Sequence, residues 1–310
     1  MNLAMVFPGQ GSQSVGMQAE LAAANPTVQQ TYAEASEALG YDLWNLVQQG
    51  PAEKLDATEV TQPAMLTAGV AAWRIWQSRG GAMPASMAGH SLGEYSALVA
   101  AGSLAFTDAV PLVRLRGQLM QDAVAPGAGA MAAIIGLDDD AVMQVCADAS
   151  TAGLAEAVNF NSPGQVVISG ERAGVEKAVE LAQEAGARRA IMLAVSVPSH
   201  SSLMQKAGNS LATALAETSF ATPEISVVSS VAMRPYTDAE DMRALLTAQV
   251  SSPVQWVKTV QAMAGEGCDT VVECGPGKVL AGLTRRIDKS LQTGFIEDEA
   301  ALEKALGLGA

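Results

Sequence analysis

Residues 89–93, Gly89-His90-Ser91-Leu92-Gly93, decide how this chain is read. The pattern Gly-x-Ser-x-Gly puts a serine on a sharp turn between a strand and a helix, with its hydroxyl held out into a cleft. Small residues flank such a serine because the backbone is strained there and larger neighbours would collide. The surroundings fit. Ala85-Ser86-Met87-Ala88 reads as a short buried strand, and Leu92 to Ala101 as a helix closed by Gly102. A strand, a serine turn and a helix in succession point to covalent acyl chemistry at Ser91.

Working outward, residues 3–7 read as a first buried strand, followed by the tight loop Pro8-Gly9-Gln10-Gly11-Ser12-Gln13. Helical patterns cover residues 28–39 and 63–77, the second with Pro63 in its first turn. A further helix is predicted over 107–124 with Thr107 as N-cap. Pro126-Gly127-Ala128-Gly129 breaks the rhythm. Beyond it come a strand at 130–135, a helix at 138–149, strands near 158 and at 166–169, a helix at 173–185 and a strand at 189–195. That order, β-α-β-β-α-β, is the ferredoxin-like arrangement. From Pro198 the larger pattern resumes with a helix at 203–217, a strand at 225–229, helices at 239–248 and 254–266, and a strand at 270–274. Gly275-Pro276-Gly277 then leads into a last long helix. The expected fold is α/β. Residues 1–126 and 198–310 form a large α/β-hydrolase-like domain around a central parallel sheet, and 127–197 form an inserted, small ferredoxin-like subdomain.

Composition narrows the function. The chain has 310 residues, 49% of them hydrophobic, enough for a substantial core. Aromatic residues are 4% and the net charge is −14, which argues against nucleic acid as a partner. The N-terminal residues lack the basic start of a signal peptide, and no apolar run is long enough to span a bilayer. Cys146, Cys268 and Cys274 have no metal-type spacing, so they read as packing thiols of a cytoplasmic protein that holds no metal.

A serine hydroxyl is a poor nucleophile until a base takes its proton. The chain offers two histidines, His90 and His200. His90 adjoins Ser91, and adjacent side chains on an elbow diverge, which leaves His200 in Val197-Pro198-Ser199-His200-Ser201. The third member of the relay is open. Asp138, Asp139, Asp140 and Asp148 lie between serine and histidine, but the first three read as an acidic first turn of a helix. A neutral amide or a backbone carbonyl would also hold the imidazole. The Leu92 N–H, at a helix N-terminus after the nucleophile, suits an oxyanion hole.

Taken together, these segments resemble the malonyl-CoA:acyl carrier protein transacylase family of fatty acid synthesis. The resemblance rests on residues 7–13 (Phe-Pro-Gly-Gln-Gly-Ser-Gln), 89–99, the run Asn159-Phe160-Asn161-Ser162-Pro163-Gly164-Gln165, Val197-Pro198-Ser199-His200, Pro253-Val254-Gln255-Trp256 and Gly275-Pro276-Gly277-Lys278. They occur in family order across nearly the whole chain. The resemblance implies that Ser91 is malonylated, that His200 is its general base and that the Gln249 main-chain carbonyl orients the imidazole. It also implies that backbone N–H groups of Gln10 and Leu92 hold the oxyanion, and that Arg116 grips the free carboxylate. From the residues alone Arg114 and Arg116 compete for that role, about 200° apart on one helix.

The implied reaction moves malonyl from malonyl-CoA to the phosphopantetheine thiol of acyl carrier protein by ping-pong transfer, without metal or redox cofactor. The alternative is a serine esterase or thioesterase that passes the acyl group to water. Carrier proteins of this kind are typically acidic, and this chain is acidic too. A cationic stripe on the last helix, Lys278, Arg285 and Lys289 with Arg286 at its margin, is therefore the expected docking site, together with Arg188 and Arg189. The polar termini and lack of heptads suggest a monomer.

Overall fold

Leu3, Met5 and Phe7 alternate with Ala4 and Val6, and the alternation sorts them onto two faces of one sheet. The computed structural model describes residues 2–195 and 197–308. Within them the strands are β1 (Leu3–Phe7), β2 (Ser86–Gly89), β3 (Gly129–Ile135), β4 (Ala155–Ser162), β5 (Gln165–Glu171), β6 (Arg189–Met192), β7 (Ser226–Val228), β8 (Thr270–Cys274) and β9 (Gln292–Ile296). Strands β7-β2-β1-β8-β9, in that order, form a five-stranded parallel sheet.

Helices cover both faces, which is why its strands are mainly apolar, as in Leu3–Phe7. Leu3, Met5, Phe7, Met87 and Val272 pack with the helices Thr58–Ser78 and Phe106–Asp122. Ala4, Val6, Ala88 and Val228 pack instead against Trp256, Val260 and Leu280. Fully burying a side chain such as Met5 or Phe7 contributes about 1.5–3 kcal/mol.

Pairing of Phe7 with Gly89 brings the carboxyl ends of β1 and β2 level. The loop after β1, carrying Gln10, therefore lies beside the turn after β2, carrying Ser91. Open parallel sheets place their ligands at this end.

The second sheet is antiparallel, in the order β4-β5-β3-β6, and its strands occur in the chain as β-α-β-β-α-β with the helices Asp139–Asp148 and Arg172–Glu184. Ala130, Ala132, Ile134, Val166 and Ile168 pack under those helices, while Met131, Val158 and Val167 face the other way. Two backbone bonds stitch this sheet to the rest: Val254 N–H donates to Val158 O at 2.8 Å, and Phe160 N–H to Val254 O at 3.0 Å.

Several local expectations are corrected. Pro63 lies inside its helix, which begins at Thr58, where the Ala57 carbonyl accepts from the N–H groups of Val60 and Thr61. Thr107 is not a cap; the helix starts at Phe106 from Ala105. The last long helix is instead the helix Val279–Ile287, strand β9 and the helix Glu299–Leu308. The break is at Asp288, which is extended and whose carboxylate accepts from Ser290 N–H and Oγ–H at 2.8 and 2.6 Å.

That break undoes the single cationic stripe. Lys278 precedes the helix and turns toward Glu297 at 3.6 Å, and Lys289 lies beyond its end. Arg285 and Arg286 occupy the last turn, where Arg285 donates to Thr293 and Arg286 to Gln165. No helix among the described residues is long and apolar enough to cross a membrane.

Candidate active site

Ser91 holds φ 53°, in the left-handed region. A non-glycine residue is strained there, as the elbow requires. The turn is tight enough that a Cβ on Gly93 would meet Phe7 O at 2.0 Å, and one on Gly89 would meet Gly93 C at 1.9 Å. The short helix Gly93–Ala100 begins at once, so the Leu92 amide points out at its N-terminus. Neither the Leu92 nor the Gln10 N–H is engaged by another group among the described residues. Both residues line a cavity of about 340 Å³ shared with Ser91, His200 and Arg116.

His200 also has a left-handed backbone, φ 66°, and is 4% exposed. Its Nε2 lies 2.8 Å from Ser91 Oγ, and its Nδ1 lies 2.8 Å from the Gln249 carbonyl. A carbonyl can only accept, so Nδ1 carries the hydrogen and Nε2 presents its lone pair to the serine. Burial, and then the positive charge of Arg116, push this imidazole down to about 3. It is therefore neutral near pH 7, the form a general base needs. His90 is tied elsewhere: its Nε2 lies 2.8 Å from Asn161 Oδ1 and its ring packs on Trp256.

The two arginines separate cleanly. Arg114 is half-buried over the Tyr41 ring, whereas Arg116 is 1% exposed and reaches Ser91. Arg116 Nη1 donates to Gln62 Oε1 at 2.9 Å, and Nη2 donates to Gln249 Oε1 at 3.0 Å and to Ser91 Oγ at 3.2 Å. Among the described residues no carboxylate lies within ion-pair distance of it, and its Nε–H has no partner. The close helix crossing at Gly117, where a Cβ would stand 2.7 Å from Thr58 O, brings the guanidinium to Gln62.

Three participants escape a sequence reading. Gln62 lines the cavity as an acceptor for Arg116. The Gln249 side chain, not only its carbonyl, is engaged: Nε2 donates to Ser91 O at 3.2 Å and to Glu94 Oε2 at 2.5 Å. Glu94, fully buried, also accepts from Ser230 and Tyr236. A glutamate in a first helical turn looks like ordinary dipole compensation, and an amide gives no titration signal. The available hint was an acid flanked by apolar residues of a mostly buried helix, Tyr95, Ala97 and Leu98.

In chemical terms the site joins a serine hydroxyl and a neutral imidazole, two free amide donors, and a buried cation facing the same cavity. The family described as "Acyl transferase domain" matches residues 4–303. The malonyl CoA-acyl carrier protein transacylase of Salmonella typhimurium is 55% identical over 303 residues, covering 98% of each chain. The structure of an acyl carrier protein S-malonyltransferase from Vibrio cholerae superposes with a TM-score of 0.95 at 54% identity, over 98% of this chain and 99% of that one. A malonyl-transacylase solved in complex with its type II PKS acyl-carrier protein gives a TM-score of 0.98 at 52% identity, over 99% of this chain and 100% of the other.

Proposed function

We infer the mechanism from the premise that this chain belongs to the acyl transferase family, among the malonyl-CoA:acyl carrier protein transacylases. It is an enzyme of fatty acid synthesis that moves a malonyl group from CoA to acyl carrier protein. Ser91 carries the group between the two thiols.

In the first half-reaction Ser91 Oγ attacks the thioester carbonyl of malonyl-CoA while His200 Nε2 takes the hydroxyl proton. The amides of Gln10 and Leu92 hold the tetrahedral oxyanion. Collapse breaks the carbon–sulfur bond, and His200 returns the proton to the CoA thiolate. In the second half the phosphopantetheine thiol of the carrier gives its proton to His200 and attacks the malonyl ester, and the proton ends on Ser91. Atoms and charge balance without an oxidant or a metal, so no cofactor is invoked.

Arg116 receives the free carboxylate of the malonyl group. Burying that anion unpaired would cost several kcal/mol (roughly 2–7 for a mere polar group), and a guanidinium fork answers it with paired, charge-assisted bonds. The observation that carries this reading is the relay from Gln249 O through His200 to Ser91, 2.8 Å at each step, with Arg116 at 3.2 Å from the same hydroxyl.

The architecture is read as an α/β-hydrolase-like domain of residues 1–126 and 198–310 with a ferredoxin-like subdomain at 127–197. The parallel elbow sheet and the β-α-β-β-α-β order support it. Buried free thiols suit a reducing cytoplasm, and a site completed within one chain suits a monomer. Carrier docking is assigned to Arg286 with Arg188 and Arg189. Arg286 bonds Gln165, which lies across Ile135 from Arg189 in the small sheet, and the chain runs from Arg189 to the cavity wall at Leu193.

Intact-protein mass spectrometry tests the reading. Malonyl-CoA should add one malonyl group to the wild type and none to Ser91→Ala. Holo carrier should remove it as malonyl-carrier, and rapid steady CoA release without carrier would instead indicate a hydrolase.

A further inference from the structure

Arg116 and Glu94 are both buried, 1% and 0% exposed, yet they do not touch. The Gln249 carboxamide stands between them, its Oε1 accepting from Arg116 at 3.0 Å and its Nε2 donating to Glu94 at 2.5 Å. A buried guanidinium needs a counter-charge. A direct ion pair would occupy the fork that the substrate carboxylate must use. One amide of separation supplies the charge without closing the fork.

The chemistry of the amide makes the arrangement directional. Glu94 is met by two N–H donors, Ser230 N–H at 3.4 Å and Gln249 Nε2, and by two hydroxyls, Tyr236 O–H and Ser230 O–H at 2.8 Å. All four point a hydrogen at one carboxylate, and these bonds oppose the burial that pushes the Glu94 carboxyl up. A carboxylate compels the NH2 end of Gln249 to face it, so the oxygen end must face Arg116. The opposite orientation would set NH2 against the guanidinium and push it from its place beside Ser91. Tyr236 and Ser230 come from the segment after β7, the strand paired to β2, so the anion is clamped on the side away from the cavity.

We propose that Glu94 is a positioning residue for substrate selection, acting through the Gln249 carboxamide to hold the Arg116 guanidinium oriented and counterbalanced while leaving donors free for the malonyl carboxylate. This rests on the reading of Arg116 as the carboxylate clamp.

The test compares full-length wild type, Glu94→Gln, Tyr236→Phe, Arg116→Ala and the Glu94→Gln/Arg116→Ala pair, measuring kcat and KM with malonyl-CoA and with acetyl-CoA in the presence of holo carrier. Glu94→Gln keeps the volume but lets Gln249 turn over. The malonyl-to-acetyl ratio of kcat/KM should fall about tenfold or more. Tyr236→Phe, which frees one carboxylate oxygen, should lower the ratio several-fold. In the Arg116→Ala background Glu94→Gln should lower it no further. An unchanged ratio, or an equal loss with both substrates, overturns the proposal and leaves Glu94 as a support of the fold. Should Glu94→Gln fail to fold, the Tyr236→Phe ratio decides in the same way. Failure of the wild type to form malonyl-Ser91 would sink the proposed function instead, so the two failures are distinguishable.

Discussion

Arg116 donates from Nη2 to the hydroxyl of Ser91 at 3.2 Å. The cation assigned to one end of the substrate thus touches the group assigned to attack the other end. In a malonyl thioester one methylene separates the reacting carbonyl from the carboxylate, so clamp and nucleophile must be near neighbours. Acyl groups without a free carboxylate would leave a buried guanidinium short of a partner. Replacing Arg116 with alanine should therefore reduce malonyl loading of Ser91 by about a hundredfold, since bonds to charged groups contribute about 1.5–3 kcal/mol each. Acetyl loading should fall much less. Arg116→Lys should recover only part of the loss, because an ammonium restores charge but not the fork. Competition between the two acyl-CoAs, read by the mass added to the protein, checks both outcomes. An unchanged malonyl preference in Arg116→Ala would assign the carboxylate to another cation.

His200 gives a prediction about pH. Its folded value is pushed down to about 3 by burial first and by Arg116 second, below the ordinary 6.5. The imidazole is already neutral at physiological pH, so with His200 as the proposed base acylation should show no acid limb near about pH 6.5 and should decline only far below it. The stability consequence has a definite sign. The unfolded chain takes up the proton first, so the contribution is intact above 6.5 and is lost progressively as pH falls toward about 3. Denaturant titrations from about pH 7 to about pH 5 should show wild type losing more stability than His200→Gln. Equal losses would show that His200 does not titrate in this window.

Ser91 and His200 were legible in the chain because each signal is local: a strained pentapeptide, and a shortage of alternatives. Strands β1, β2, β7 and β8 were legible because both of their faces are buried, which leaves short, mainly apolar runs such as Leu3–Phe7. Other parts depended on tertiary contacts. The helices Ala19–Ala24 and Leu43–Gln49 are too short to be stable alone and exist through packing. Strand β9 has Gly294 at its centre, and only its pairing with β8 makes it a strand. Gln62 and Glu94 acquire their roles from partners 54 and 155 positions away, Arg116 and the Gln249 amide, which no spacing reveals.

Glu273 on β8 supplies a second titration test, away from the cavity. It is 0% exposed; one oxygen accepts from Ala281 N–H at 2.8 Å, and Oε1 has no partner among the described residues. Burial pushes its carboxyl up to about 7, against the pull of the amides that start the helix Val279–Ile287. Here the unfolded chain releases its proton first, near 4.5, so stability falls as pH rises from there through about 7. Glu273→Gln removes the titration and keeps an acceptor for Ala281. Its melting temperature relative to wild type should climb across that window and then level off. A difference independent of pH would show that the carboxyl does not change charge on folding.

Glu273 caps the helix that carries Arg286, which links it to the last prediction. Arg286 Nη1 bonds Gln165 Oε1 at 2.7 Å, tying the end of the parallel-sheet unit to the small sheet. Gln165 pairs with Ile135, and Ile135 with Arg189, so two exposed cations flank one short stretch of surface. From Arg189 the exposed side chains continue through Ile191 on β6 to Leu193 just past its end, which lines the cavity. Alternate residues share a face at about 3.3 Å per residue, so the cationic end lies about 13 Å from the cavity wall. An acidic carrier held at Arg189 and Arg286 would have its thiol arm directed along this apolar strip. On a chain of net charge −14, reversing these two cations removes the local attraction and leaves the long-range repulsion. Arg189→Glu with Arg286→Glu should raise the Michaelis constant for holo carrier about tenfold, and more at low salt than at high salt. The rate of Ser91 malonylation from malonyl-CoA should stay within about twofold of wild type, since neither side chain reaches the cavity and surface substitutions have small effects elsewhere. Equal changes toward carrier and CoA would mean that the two arginines serve both donors through a shared phosphate, and would move the carrier's docking surface elsewhere.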